Sequence, residues 1–209
     1  MLPWILLTLV ATALLLVAEA RGSVAGRWVW KPLASTGFIA AALAAGAWQT
    51  TYGRLVLLAL VLSWWGDVLL IPRTRAAFTA GLASFLAGHV AFAAAFLVRG
   101  VSPGFLIATV LVLALPVLLV DRWLGPHVPR SLRLPVRAYV IVISLMVASA
   151  FGTWGHAGCG SIPVGALMFF FSDLAVARDR FLGHNFLNRL WGLPLYYGGQ
   201  LVLASTVAC

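Results

Sequence analysis

The chain has 209 residues, of which 63% are hydrophobic and 9% are charged, a composition outside the range of soluble globular domains. The formal net charge of +9 raises the question of a nucleic-acid partner, but the basic residues are distributed between apolar runs and not gathered in one patch. Composition therefore argues against a soluble domain and against nucleic-acid binding. The same composition predicts an all-α, polytopic integral membrane protein.

Eight apolar runs follow one another along the chain, and about 20 apolar residues are enough to cross a bilayer as a helix. The connecting segments are short and leave no room for a separate soluble domain. We predict a single bundle over residues 1–209, with membrane spans at about 3–20, 33–50, 54–71, 76–98, 103–120, 135–152, 160–177 and 190–208.

The basic residues predict the orientation of this bundle. Twelve of the fourteen Lys and Arg residues fall in or beside four alternate loops, and the other loops hold Arg54 and Arg99. Because basic loops stay in the cytoplasm, both termini are expected on the outer side of the membrane. The Ala-, Gly-, Leu- and Arg-rich composition indicates a bacterium of high genomic G+C content, so the expected location is the cytoplasmic (inner) membrane of that bacterium.

Two local features allow alternative readings. Ala18-Glu19-Ala20 resembles a signal-peptide cleavage site, but the basic residues follow the first apolar run and do not precede it. Residues 1–20 are therefore expected to remain as the first span. Cys159 and Cys209 both fall on the predicted outer side, where a disulfide is possible. Two unpaired thiols are nevertheless the expectation.

Two aspartates interrupt apolar runs, Asp67 in SWWGDVLLI and Asp173 in FFFSDLAVA, in a chain with five acidic residues in all. A carboxylate near hydrocarbon costs roughly 2.5–3.5 kcal/mol on insertion scales, so it is rarely placed there without a use. Each lies four residues, or about 6 Å, before the inner end of its predicted span. The two carboxylates are therefore expected at one depth, in a polar site within the cytoplasmic leaflet.

Further polar side chains are predicted at the same depth. Lys31 enters span 2 from the cytoplasmic side, and the inner ends of spans 6 and 8 add Arg137, Tyr139, Tyr196, Tyr197 and Gln200. His89 lies within span 4, where a hydrogen bond between helices is its commonest use. A zinc site needs at least three protein ligands, and His127, His156 and His184 fall in loops, so no metal site is predicted.

A faint internal repeat relates the two halves of the chain. Gly81-Leu82 followed by Gly88-His89 in span 4 is matched at the same spacing by Gly192-Leu193 followed by Gly199-Gln200 in span 8. Two parallel four-helix halves would bring Asp67 and Asp173 together, although chance similarity between Gly-rich apolar helices is equally common. Within span 4, Gly81, Ser84 and Gly88 share one face, which predicts close helix packing.

Two close carboxylates in a poorly solvated site cannot comfortably both ionise, which places a general acid beside a general base or electrostatic stabiliser. Such a pair suits hydrolysis through an oxocarbenium-like state. Lys31, Arg137 and Arg73 stand where a phospholipid phosphate would lie, although basic residues also collect on inner loops for topology alone.

Six short motifs appear in order between Lys31 and Gln200: Lys31-Pro32-Leu33, Gly66-Asp67, Gly81-Leu82-x-x-Phe85-x-x-Gly88-His89, Pro135-x-x-x-Tyr139, Gly165-Ala166 to Ser172-Asp173, and Tyr196-Tyr197-x-x-Gln200. Together they resemble the YhhN family of eight-span membrane proteins, which includes lysoplasmalogenases. The resemblance implies hydrolysis of the vinyl ether bond of a lysoplasmalogen, giving a fatty aldehyde and glycerophosphocholine or glycerophosphoethanolamine. It implies Asp67 and Asp173 as the catalytic residues and requires no metal or organic cofactor.

Other residues are expected to bind the lysophospholipid or to position water: Lys31 as a phosphate anchor, with His89, Arg137, Tyr139, Ser172, Tyr197 and Gln200 around the aspartates. The main alternative function is a transporter or proton-coupled carrier, because intramembrane acids often relay protons. The position of the aspartates at the inner edge, away from mid-depth, favours the enzyme. A third alternative is a purely structural role for the aspartates.

Overall fold

The computed structural model describes residues 1–72, 74–154 and 159–209. The described residues form eight α-helices and no strand. The helices are α1 (Leu2–Ala20), α2 (Val24–Ala44), α3 (Thr51–Leu69), α4 (Arg75–Arg99), α5 (Pro103–Leu124), α6 (Arg133–Gly152), α7 (Ser161–Phe181) and α8 (Phe186–Ser205). The predicted all-α bundle of eight helices is confirmed. Six of them, α1 and α3 to α7, are long and apolar enough to cross a membrane.

The second helix begins earlier than the sequence predicted, at Val24 and not near residue 33. Ser23 caps its first turn, since its side chain accepts a hydrogen bond from the Gly26 amide. The helix continues through Pro32, which membrane helices tolerate when neighbouring groups satisfy the freed carbonyl. As a consequence Arg27 and Lys31, expected in a loop and at a helix entry, lie one turn apart within α2.

The helix contacts follow the predicted two-half arrangement. In the first half α2 packs against α1 and α3, and in the second half α6 packs against α5 and α7. Contacts between the halves are partly reciprocal, because α2 packs against α8 and α6 packs against α4, while α8 also packs against α1 and α3. The second helix of each half thus meets the fourth helix of the other half.

Small residues let α3 and α4 approach closely, as predicted. Ser84 Oγ donates a hydrogen bond to the Leu62 carbonyl at 2.7 Å, and the Cα of Gly88 faces the backbone of Ala59. The fifth helix is different, since Leu124 is the one residue described as buried along it. Its apolar surface suits contact with acyl chains and not with the protein core.

The two cysteines form a disulfide between Cys159 and Cys209, with Cα atoms 5.8 Å apart. The expectation of two free thiols is therefore wrong. The partners are 50 positions apart in sequence, and only the packing of α7 against α8 brings them together, so their spacing carried no signal. Nearby, the Tyr52 and Thr206 hydroxyls lie 2.6 Å apart.

Candidate active site

A cavity of about 170 Å³ lies at one end of the bundle. Its lining comes from the C-terminal parts of α1, α3, α5 and α7 and from the N-terminal halves of α2, α4, α6 and α8. This is the end that carries the four basic loops, and the disulfide lies at the opposite end. The convergence of polar groups on one end of the bundle, predicted from the sequence, is therefore observed.

Four of the five acidic residues in the chain line this cavity: Glu19, Asp67, Asp173 and Asp179. The fifth, Asp121, lies outside it and forms a bidentate pair with Arg137. Another side of the cavity is apolar, with Phe78, Leu82, Leu124, Val136 and Phe170 among its lining. The cavity therefore combines carboxylates with a surface suited to an alkyl chain.

Asp67 lies near the end of α3, and both oxygens of its side chain have polar partners. Its Oδ2 accepts hydrogen bonds from Ser35 Oγ at 2.5 Å and from the Tyr196 hydroxyl at 2.7 Å. Lys31 Nζ lies 3.3 Å from Oδ1 and also donates to the Asp67 carbonyl at 3.0 Å. The side chain is 2% exposed. Two hydroxyl donors and an ammonium group together stabilise a buried carboxylate.

Asp173, near the middle of α7, has partners of a different kind. The Tyr139 hydroxyl donates to Oδ2 at 2.6 Å, and His89 Nε2 lies 3.4 Å from the same oxygen. His89 Nε2 is also 2.9 Å from the Tyr139 hydroxyl, so imidazole, phenol and carboxyl form one connected group. The Asp173 side chain is 17% exposed. It is thus more accessible from the cavity than Asp67.

Aromatic rings connect the two acidic groups. The Phe169 ring packs against His89 with centroids 4.7 Å apart and against Tyr196 with centroids 5.3 Å apart. Phe85 packs edge-on against Tyr196 and lines the cavity, and it fits there because Gly66 has no Cβ to meet its ring. Among the described contacts no hydrogen bond joins Asp67 to Asp173. The aspartates share a cavity, and each has its own set of partners.

The predicted residues fall into three groups. Lys31, Tyr139, Ser172 and both aspartates line the cavity, and His89 lies directly behind Asp173. Tyr197 and Gln200 are buried behind the site: the Tyr197 hydroxyl donates to the Lys31 carbonyl at 3.3 Å, and Gln200 is fully buried beside Tyr196. Arg137 is the exception. Its side chain is 60% exposed and pairs with Asp121, so the structure does not bring it to the aspartates.

Sequence reasoning missed several polar residues of the site. Ser35 bonds Asp67, and it lies one turn after Lys31 on the same helix face, a spacing that could have indicated it. Tyr196, not Tyr197, bonds Asp67. Glu19 is the single acid in the first apolar run, so the reasoning applied to Asp67 would have selected it too. Arg73 and His156, discussed from the sequence, lie outside the described residues.

The described residues contain no group of three or more His, Cys, Asp or Glu side chains placed to hold a metal ion. The site itself offers carboxyl, phenol, imidazole and ammonium groups. Together these can donate protons, accept them and stabilise a cation.

The fold and site define a multi-pass integral membrane protein with a carboxylate-lined cavity at one end of a helical bundle. Comparison with known sequences is consistent with this class. The profile of the YhhN family matches residues 26–207. The chain belongs to the YhhN family.

Named relatives are enzymes by their descriptions. The chain is 35% identical to lysoplasmalogenase TMEM86B of Mus musculus over 146 residues, which are 69% of this chain and 59% of the mouse protein. It is 33% identical to lysoplasmalogenase TMEM86B of Homo sapiens over 152 residues, covering 73% of this chain and 62% of the human protein. Lysoplasmalogenase TMEM86A of Bos taurus is 27% identical over 158 residues, covering 71% and 63% respectively.

The chain thus spans about six-tenths of the length of the curated relatives it matches. No solved structure matches it.

Proposed function

We propose that this protein is an intramembrane hydrolase that cleaves the vinyl ether bond of a lysoplasmalogen-type lysophospholipid. The observation that carries the proposal is the gathering of four of the five acidic residues around one partly apolar cavity. The names of the relatives support the same substrate class. The products are a fatty aldehyde and a glycerophospho-alcohol.

The different partners of the two aspartates suggest different roles. Asp67 pairs with Lys31 and accepts two hydroxyl donors, a set suited to a permanent carboxylate that stabilises a cation. Asp173 is more exposed and is bonded to a phenol and an imidazole, groups that can pass a proton. We therefore assign proton donation to Asp173 and electrostatic stabilisation to Asp67.

The reaction then proceeds in three balanced steps. Asp173 gives its proton to the vinyl carbon distal to the ether oxygen, and the resulting oxocarbenium ion lies near the Asp67 carboxylate. Water adds to the carbon bonded to the ether oxygen while the Asp173 carboxylate accepts the proton that the water loses. The hemiacetal collapses to aldehyde, its hydroxyl proton is released, and the glycerol oxygen leaves as an alcohol after receiving a proton from Asp173. A proton taken up from solvent restores the acid.

The proposed orientation places this cavity on the cytoplasmic side of a bacterial inner membrane. The four basic loops lie at the cavity end. The disulfide lies at the opposite end, and disulfides persist in oxidising compartments such as the periplasm. A carrier would need a route between the two ends, whereas the described lining of the cavity belongs to one end.

Hydrolysis by purified protein in detergent tests the proposal. Vinyl-ether, alkyl-ether and acyl lysophospholipids are offered side by side, and fatty aldehyde is expected from the first alone. In D₂O the aldehyde should carry one deuterium on the carbon next to its carbonyl, because that carbon receives the catalytic proton. Asp67→Asn and Asp173→Asn should each lower kcat by about 10²-fold or more, while Asp121→Asn should not, since Asp121 lies outside the cavity. Near wild-type activity in either site variant would refute the assignment.

A further inference from the structure

A second polar group lines the cavity nearer to the basic loops than the aspartates of the site, at the end here taken as the mouth of the cavity. It consists of Glu19 on α1, Arg27 on α2, Asp179 on α7 and Arg189 on α8, here called the mouth cluster. Arg189 pairs with Asp179 and lies 3.8 Å from Glu19, and Arg27 lies 3.6 Å from the other Glu19 oxygen. His184 also contacts Asp179, at 3.2 Å. The proposed hydrolysis assigns no role to this cluster.

Within the mouth cluster, Arg27 keeps a donor free for a ligand, while Arg189 is hydrogen-bonded to Asp179. Their distances to Glu19, 3.6 and 3.8 Å, exceed the length of about 2.7–2.9 Å typical of a charge-assisted hydrogen bond. Arg27 Nε is buried and has no hydrogen-bond partner among the described residues. A buried donor without a partner is costly, so it indicates a ligand that the free protein lacks.

Two of the three cations predicted from the sequence as phosphate ligands, Lys31 and Arg137, are poorly placed for that task. Lys31 donates to the carbonyl of Asp67 and pairs with its carboxylate, and Arg137 pairs with Asp121 outside the cavity. Three guanidinium groups line the described part of the cavity, and one of them, Arg180, lies over the Phe78 ring. Arg27 and Arg189 both approach Glu19, and two neighbouring guanidiniums are well suited to phosphate oxygens.

The distance from Arg27 to Lys31 along α2 matches the distance from the ether oxygen to the phosphorus in a lysophospholipid. Arg27 precedes Lys31 by four residues, which is about 6 Å along α2, and Lys31 contacts Asp67. In a lysophospholipid, five bonds of about 1.5 Å separate the ether oxygen from the phosphorus, roughly 6 Å when extended. A substrate with its ether bond beside the aspartates therefore reaches the mouth cluster with its phosphate.

The balance of charge around the cavity indicates the kind of head group. Four cations among the described lining residues, Arg27, Lys31, Arg180 and Arg189, face the four carboxylates. The lining is thus formally neutral in a chain whose net charge is +9. Alternating charges complement a zwitterion, whereas a head group with a second negative charge would meet Glu19 and Asp179.

We propose that the mouth cluster is the head-group site, in which Arg27 and Arg189 bind the phosphate and Glu19 and Asp179 accept the ammonium of a zwitterionic phosphodiester. This assignment rests on the proposed function for the identity of the lipid. Cation-carboxylate pairs that are already present position all four side chains before the ligand enters, which reduces the entropic cost of binding.

Kinetics with matched substrates test the site. Vinyl-ether lysolipids that differ in head group are compared: phosphoethanolamine, phosphoglycerol and an alkenylglycerol without phosphate. Arg27→Gln and Arg189→Gln should each raise KM for the phosphoethanolamine substrate by about tenfold, with a much smaller change for the alkenylglycerol. Glu19→Gln should lower the preference for phosphoethanolamine over phosphoglycerol severalfold. Arg137→Gln, which removes an arginine outside the cavity, is the matched control and should change none of these ratios.

Binding measurements separate this proposal from the proposed catalysis. A saturated alkyl-ether lysophosphoethanolamine has no vinyl ether bond, so its binding to the wild type is measurable whether or not the protein hydrolyses lipids. Its Kd should rise about tenfold in both arginine variants and stay constant in Arg137→Gln. If Arg27→Gln fails to fold because Glu19 loses its partner, the Glu19→Gln, Arg27→Gln double variant removes both charges. Equal loss of affinity for ligands with and without phosphate, or no loss, would overturn the head-group site.

Discussion

The two halves of the molecule place an aspartate in equivalent positions and surround it with different chemistry. Asp67 on α3 lies between α2 of its own half and α8 of the other, and Asp173 on α7 lies between α6 and α4. The first aspartate meets an ammonium group and two hydroxyls. The second meets a phenol and an imidazole. Similar helix contacts in the two halves thus surround two aspartates that have different partners.

In the proposed reaction this difference would separate two tasks on one scaffold. Each aspartate occupies the third helix of its half and lines the same cavity. The neighbouring side chains would then set the role of each carboxyl group, since a cation favours a permanent negative charge and a phenol-imidazole pair permits proton movement. Replacing these neighbours one at a time tests the contrast.

The largest expected effect concerns the aspartates themselves. Asp173→Asn should lower kcat by about 10³-fold or more, because it removes the proposed proton donor. Asp67→Asn should lower kcat by about 10²-fold, because the cation loses its stabilising charge. Added formate can take the place of a missing carboxyl group. In steady-state assays it should partly restore the activity of Asp173→Ala but not that of Asp67→Ala. Rescue of the Asp67 variant alone would reverse the assignment of roles.

Removal of the buried ammonium group of Lys31 should lower the stability of the protein more than any substitution around Asp173. Lys31→Met leaves the Asp67 carboxylate buried without its partner, at a cost of about 3–5 kcal/mol. Unfolding in detergent, followed by the loss of helical circular dichroism, measures this effect. The Lys31→Met, Asp67→Asn double variant should recover part of the loss. Similar stability in Lys31→Met and the wild type would show that the pair is not a buried ion pair.

The two tyrosines provide the next comparison. Tyr139→Phe should lower kcat by about tenfold to a hundredfold, because it removes the phenol hydroxyl that bonds both His89 and Asp173. Tyr196→Phe removes one of the donors to Asp67, and a loss of about 1–3 kcal/mol in stability is expected with a smaller change in kcat. Equal kinetic effects from both variants would mean that the halves do not differ in the way proposed.

The smallest effect is expected outside the cavity. Asp121→Asn breaks an exposed pair with Arg137 and should leave stability nearly unchanged, because solvent screens the two charges. Its kcat and KM should equal those of the wild type. A large loss of activity in this variant would show that the site extends to α5, beyond the described cavity.

Part of the site was predictable from the sequence, because charged residues within apolar runs are rare and mark a polar site. Asp67 and Asp173 are evident because a charge within an apolar run is costly, and Lys31 and Tyr139 follow from their depth. Arg137 has the same depth as Tyr139, yet it faces Asp121 because the two residues, separated by two positions, lie on different faces of α6. Depth is encoded locally, while the direction in which a side chain points depends on how the helix is rotated against its neighbours.

The number of helices and the end of the bundle where polar groups gather follow from the sequence, because hydropathy and charge act on each segment independently of the rest. The bounds of α2 do not, since that helix begins at Val24 and continues through Pro32. Tertiary structure decided which groups became partners. It paired Asp67 with Ser35 and Tyr196, gathered Glu19, Arg27, Asp179 and Arg189 from four helices, and joined Cys159 to Cys209. These contacts depend on helix rotation and packing between residues distant in sequence, which no local pattern specifies.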